Sequence, residues 1–514
     1  MSGFASIAKN GGQGAGSSNT DNASFTSQFG EALVAQLTPA SQATFVKGLN
    51  PTTFLSRSIG DGATVTASSG SAYVKSGTAA TGSAAVQMRR GLSYRAGQGS
   101  LFRATAIFGP PIADTYQLLG FGNVECGYHF GYQGTNFGIH HFPDGQREVQ
   151  KLVISAGGVS DGTSVTITLN GQPKAYTISG GSSANQTSWE ISQQDWSNVG
   201  GGWVAEAYDG TVYFIALRPG PRSGAYSATA GGSIGTFTQF KAGATANATF
   251  VTQSAWNIDT MDGNGPSRMV LDPHKGNVYQ IGFQYLGFGN ARFAIEDTQT
   301  GQFQACHMIR NANTRLTPVL KDPHVSGIWA VANVGSTIGT HMTGTSGAIF
   351  CEGEVTRNIG PAFSAVGVKT DVDNTPELPI LSVRSDRVFS NDVGYSELDI
   401  SSLSVSVVDS VAAGSKYMTI RIYKNLRLTG PVNWTNVNSA QSCASYDTGA
   451  TGFSSNQNTL VATYVLGFQS TLNIDLKGDN FFLSVGESLT VTAQGGDATG
   501  ADFVSCALTW FEDQ

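Results

Sequence analysis

Residues Leu398–Val408 read LDISSLSVSVV, and the alternation of apolar residues with serine has the period of two that puts one face of a β-strand in a core and the other outside it. The same signature returns downstream in KYMTIRIYKNL (416–426), NTLVATYVLGF (458–468), TLNIDL (471–476), ESLTVTAQG (487–495) and VSCALTWF (504–511). About six short strands at this spacing predict an antiparallel sandwich of jelly-roll type over residues 370–514. Its start is marked by DVDNTPELPI (371–380), an acidic, proline-bearing junction.

Upstream, the signals are again those of strands and turns. VQKLVISAGGVSDGTSVTITLNGQPKAYTIS begins at Val149, and its Val165, Ile167 and Leu169 alternate with threonine before Asn170-Gly171, the strongest short hairpin signal. A second hairpin is expected to turn at Asp209-Gly210. Residues 149–250 therefore read as a small β-domain inserted into a central sandwich made of 46–148 plus 251–369. Residues 1–45 read as an arm: the first ~24 are rich in Gly, Ser and Asn and cannot bury enough apolar surface to offset their ordering entropy. Phe29, Leu33, Val34 and Leu37 then follow at helical spacing, with Ser27 as N-cap and Pro39 as stop. The fold class is thus all-β, a multi-domain β-sandwich and jelly-roll architecture preceded by a flexible arm and one short amphipathic helix that docks to a larger assembly.

Composition agrees. Of 514 residues only 13% are charged against 40% hydrophobic, and 65 are glycine, the palette of strands and turns. A formal charge of −7 with no basic run gives counterion release little to act on, so nucleic acid is not an expected partner. The five cysteines, Cys126, Cys306, Cys351, Cys443 and Cys506, form no CxxC pair. They are expected to be buried small side chains in a reducing compartment, neither a disulfide scaffold nor a zinc ribbon. No signal-peptide core or stretch of ~18–20 apolar residues is present, so no membrane insertion is expected.

Several stretches invite a chemical reading. In LGFGNVECGYHFGYQGTNFGIHHF (119–142) the glycines do not form a phosphate loop, because aromatic residues at strand spacing follow where a helix N-terminus would be needed. His129 and His140, on two arms of a hairpin, could meet Glu125 or Cys126 around zinc, but no HExxH, HxH or cysteine-pair spacing supports this, and no metal ligand is assigned. The segment reads instead as an aromatic hairpin pair, with Tyr128, Phe130, Tyr132 and Phe137 facing a core or a subunit contact. Its first five letters return at 286–290, which suggests two hairpins of similar geometry. Gly231–Gly235 spells GxSxG but lies between strand-like segments, so a turn is expected there and not a nucleophile elbow. Asp259, Asp262 and Asp272 are the best candidates for a carboxylate pair that cleaves glycans, with Trp256 to stack on a sugar; a turn in which the acids cap backbone N–H groups is the preferred reading. An EF-hand is ruled out by the missing twelfth-position glutamate. No catalytic or cofactor-binding residue is assigned.

Four segments carry a family likeness. RRGLSYRAGQGSLFRATAIFG (89–109), LGFGNVECGYHFGYQGTNFGI (119–139), WNIDTMDGNGPSRMVLDPHKGNVYQIGFQYLGFGN (256–290) and ALTWFEDQ (507–514) resemble virion structural proteins of tailed bacteriophages, marine and cyanobacterial ones in particular, and of some large DNA viruses. The resemblance runs from about residue 40 to the end. It implies a particle component, described in such viruses as tail fibre, baseplate-attached or capsid-surface protein, and it implies no catalytic residue and no cofactor. The expectation is a non-enzymatic protein folded in host cytoplasm, self-associating as a trimer, joined to other virion proteins through its arm, and contributing to host attachment. A capsid decoration protein is the first alternative. A glycan depolymerase or a carbohydrate-binding protein is the other; exposure of Trp256 or Trp434 in a shallow groove would favour the latter.

Overall fold

The computed structural model describes residues 36–92, 94–123, 125–179, 183–353, 360–374, 376–394, 396–408, 417–454, 459–467, 469–476, 481–496 and 503–513. Almost all regular structure within them is antiparallel β-sheet, arranged around three main hydrophobic cores.

The first core lies between a nine-stranded and a seven-stranded sheet. At the middle of the former is Ser100–Phe108, which pairs with Asn277–Phe283 on one side and with Ser346–Glu352 and His341–Gly344 on the other. The latter runs from Thr249–Thr252 through Asn136–Phe142, Gly127–Gln133, Thr115–Gly122, Ser326–Asn333 and Ser83–Met88 to Phe54–Ile59. Aromatic rings fill the space between them: Phe102 stacks on Phe121 with centroids 5.6 Å apart, and Phe130 tilts against Tyr279 at 4.9 Å. Trp329 is fully buried there and donates its indole N–H to the Thr105 carbonyl at 2.9 Å, so its polar atom is satisfied.

A second core belongs to a four-stranded and a three-stranded sheet formed between Arg147 and Lys241. Asn170 (φ 48°) and Gly171 (φ 78°) make the two-residue hairpin that their sequence demands, and Leu169 pairs with Gln172. Asp209 and Gly210 turn in the same way between Tyr208 and Thr211. Here also stands a helix absent from the sequence reading, Ala184–Ser192, whose N-cap Ser183 accepts a hydrogen bond from the Gln186 N–H at 3.1 Å.

The third core closes between a five-stranded and a six-stranded sheet. Along Leu398–Val408, Leu403, Val405 and Val407 are buried while Ser402, Ser404 and Ser406 stay near the surface. The alternation slips once at a bulge between Ile400 and Ser402, which leaves the neighbours Ile400 and Ser401 both buried.

These cores are packed against one another. Trp189 and Ala207 from the second join Leu426, Leu428, Val432 and Trp434 of the third in one apolar cluster, and Trp189 donates to the Leu428 carbonyl at 3.1 Å. Arg384 lies 4.3 Å from the Trp434 ring. The first and third cores are joined by ion pairs, Arg89 to Glu487 at 2.9 Å and Arg95 to Asp513 at 2.7 Å.

Two sequence expectations need correction. The amphipathic helix was expected to reach Leu37 and stop at Pro39, with everything to residue 45 serving as a docking arm. Instead Leu37–Thr44 is a strand paired with Ser346–Glu352. Pro39 has no N–H to donate, and the register slips beside it, between Pro39 and Ser41. Phe45 is buried, stacked 4.6 Å from Phe54. Ser27, Phe29, Leu33 and Val34 lie outside the described residues. The repeated LGFGN, secondly, has two different conformations: Leu119–Gly122 is the buried end of a strand, whereas Leu286 (φ 37°) and Gly287 (φ 74°) turn at the surface with Leu286 and Phe288 exposed. Flanking strands decide the difference, since Thr115–Gly122 is paired on both sides and the second copy follows the end of its strand at Phe283.

Candidate functional site

Gly127–Gln133 and Asn136–Phe142 pair as a hairpin that carries the candidate histidines His129 and His140. Tyr128, Phe130, Tyr132 and Phe137 all point into the first core. On the opposite face His129 and His140 are cross-strand partners. The His129 ring lies flat over Gly120, directly across the sheet, where a Cβ would overlap it. His140 packs 4.5 Å from the Phe250 ring. Burial holds the imidazoles of both at a pKa of about 3, so both are neutral near neutral pH. His141, pushed down to about 4 chiefly by burial, has a defined tautomer. Arg315 can only donate, so Nδ1 at 3.1 Å accepts and the proton on Nε2 goes to the Val319 carbonyl at 2.6 Å.

Glu125 and Cys126 do not turn towards these rings as ligands. Glu125 Oε1 accepts from the Arg147 N–H at 2.6 Å, and the Cys126 thiol is 3.3 Å from the Asp322 carbonyl. Among the described residues no group of three His, Cys, Asp or Glu is placed to hold a metal ion. All five cysteines are buried and free, and burial pushes Cys126 up to about 12.

The three aspartates are turn caps. Asp259 is buried and accepts from the Met261 and Ser267 N–H groups, both at 2.8 Å. Asp262 accepts from Asn264 N at 2.9 Å, and Asp272 accepts from His274 N at 3.0 Å. These backbone hydrogen bonds hold Asp262 and Asp272 below the usual carboxylate range, the opposite of what a glycosidase general acid needs. Gly231–Gly235 links Ser227–Thr229 to a strand that starts at Gly235, with no helix behind Ser233. Trp256 and Trp434 are 5% and 4% exposed, so neither offers a face to a sugar.

What the residues do assemble is a pair of open sheet margins at opposite ends of the third core. In the five-stranded sheet Ala362–Lys369 and Ser470–Asp475 are the two end strands. Thr459–Gly467 ends the six-stranded sheet and packs beside Ser470–Asp475. Among the described residues each pairs on one side only. Thr459–Gly467 carries no charge over nine residues and exposes Leu460 and Val465; Ala362–Lys369 exposes Val366 and Val368. Tyr464, Ala462, Leu472 and Ile474 face the core but are only partly covered. Edges of soluble sheets are normally blunted by charge, proline or a covering element; Lys369 and Asp475 put a charge at the end of two of these strands, and Thr459–Gly467 has neither charge nor proline. Spacing in the sequence identifies Thr459–Gly467 and Ser470–Asp475 as strands, though not as the last in their sheets; Ala362–Lys369 falls in the stretch read as central sandwich (251–369), yet pairs with Phe503–Glu512 of the third core.

Among the described residues no helix is long and apolar enough to cross a membrane. The sheets described above make the chain an all-β protein of several packed sandwiches. No protein-family model matches it, and no curated protein matches it. Among solved structures it is similar to the CBM22-1–CBM22-2 tandem of Paenibacillus barcinonensis Xyn10C, with 8% identity over 93% of this chain and 98% of that one at a TM-score of 0.18. The triple jelly roll of an archaeal virus turret follows, with 8% identity, 94% and 98% coverage and a TM-score of 0.16. A chain of Sulfolobus Turreted Icosahedral Virus gives 7% identity, 93% and 97% coverage and a TM-score of 0.17.

Proposed function

We propose that the chain is a non-enzymatic structural protein of a virus particle, a tail fibre or related appendage, that associates with copies of itself and contributes to host attachment. The observation that carries this reading is the pair of open margins, above all the uncharged Thr459–Gly467. Strand addition at Thr459–Gly467 would satisfy its free N–H and C=O groups and cover Leu460 and Val465. Because the two margins lie at opposite ends of one sandwich, a contact from one to the other is head-to-tail, and such contacts close into rings when the rotation allows. Three copies is the proposed number. An edge without charge also raises no repulsion between identical chains. The segment before Gln36 is the proposed link to other virion proteins, the chain folding in host cytoplasm before it is incorporated. Capped aspartates and buried tryptophans support structure over glycan cleavage or sugar stacking.

Gold-labelled antibody to the chain, viewed on intact particles by cryo-electron microscopy, tests this. Label on a tail appendage is the expected result. Label spread over the shell would move the protein to capsid decoration, and unlabelled particles would overturn a virion role.

A further inference from the structure

A cavity of about 540 Å³ opens where the three cores meet, lined by Arg57 and Arg89 from the first, Trp196 and Trp203 from the second, and Arg387 and Glu487 from the third. Its size is that of a small-ligand site. Four guanidinium groups surround it, and three of them have carboxylates: Arg89 with Glu487 at 2.9 Å, Arg147 with Glu125 at 3.4 Å, and Arg387 with Glu206 at 3.8 Å. Arg57 is different. Its Nη1 is buried with no hydrogen-bond partner, and burial first, then the charges of Arg147, Arg387 and Arg89, bring its pKa down to about 9 against the opposing pull of the Glu125 carboxylate. A second donor on the same wall is also unused. Asn123 accepts through Oδ1 from the N–H groups of Glu125 and Cys126 at 2.8 and 2.9 Å, and its Nδ2 is buried and unpartnered.

The remaining acids on the wall have partners of their own. Asp513 is held by Arg95 and His324 at 2.7 and 3.7 Å. Glu397 is pushed up to about 7 by burial, and Asp195 accepts from the Ser197 N–H at 2.9 Å. Buried donors without acceptors are destabilising, charged ones most of all. A cavity that leaves one guanidinium and one amide in this state is complementary to an acceptor carrying negative charge.

We propose that this cavity binds a small organic anion, through a carboxylate or a phosphate group, with Arg57 as its principal ligand and Asn123 as a second donor. The inference goes beyond the structural role above and does not depend on it. Because all three cores contribute walls, the bound anion would also hold them together.

The test is isothermal titration of the full chain at fixed ionic strength with inorganic phosphate, with glucuronate, and with glucose as the neutral control. Saturable binding of at least one anion, absent for glucose, is expected, and the better of the two identifies the group. Arg57→Gln should weaken that binding by about tenfold or more, the scale of one charge-assisted contact, while circular dichroism stays that of the parent. If Arg57→Gln does not fold, Arg57→Lys is read in its place: it keeps the charge without the planar fork, and weakened binding supports the assignment. No saturable binding of either anion, or unchanged affinity in the folded variant, overturns it.

Discussion

At the scale of single residues, glycine and histidine in Leu119–Phe142 act by shape. Gly120 is bare because the His129 ring occupies the space its Cβ would need, and Gly131 is bare because the Gln117 carbonyl does. Such contacts join residues of neighbouring strands, so the sequence shows that the glycines matter without showing against what. Burying neutral histidines has a pH consequence. Their folded pKa values, about 3 for His129 and His140 and about 4 for His141, lie below the unfolded value near 6.5, so the unfolded chain takes up the protons first. Their contribution is fully present above about pH 6.5 and is lost as the pH falls towards 3–4, by about 1.4 kcal/mol per pH unit for each histidine once well below 6.5. Urea unfolding of the parent and of His129→Gln at pH 7, 6 and 5 checks this. Stability of the variant should fall less steeply by about one proton's worth, whereas equal slopes would show that His129 is not held neutral.

Among elements, legibility follows the distance to the partner. Leu398–Val408 and the Asn170-Gly171 hairpin could be read because their alternation and turn chemistry are local. Leu37–Thr44 could not: its partner, Ser346–Glu352, lies some three hundred residues away, and before that pairing is known Leu37 fits a helical period as well as a strand. The helix Ala184–Ser192 was missed for a related reason. It shows little apolar periodicity, and Trp189 is buried against Leu428 and Trp434, residues of a distant segment. Of the candidate sites, the capping role of the aspartates was legible from loop composition, while the arginine-lined cavity was not, since its walls come from three separated regions. A truncation experiment follows from the corrected first strand. Truncation at residue 35, which leaves Leu37–Thr44 in place, is the reference. Deleting 1–45 removes an edge strand and the buried Phe45, and should lower stability by about 3–5 kcal/mol or more, the range for losing a large core aromatic. Equal melting temperatures for the two truncations, measured by calorimetry, would show that Leu37–Thr44 contributes nothing to the fold.

For the molecule as a whole, the three cores are joined by apolar contact as well as charge, with Trp189 and Trp434 in the same buried cluster. Both margins used for head-to-tail closure belong to the third core, so their mutual direction is set within one sandwich. The central claim is that the exposed margins of the third core are contact surfaces between copies. Light scattering coupled to size exclusion, applied to the parent chain and to the double variant Leu460→Lys, Val465→Lys, tests it most directly, because lysine on an edge strand opposes pairing while leaving the core untouched. The account predicts a parent particle of three chain masses and a folded monomer for the variant. A monomeric parent at high concentration, or a variant that remains assembled, would contradict it.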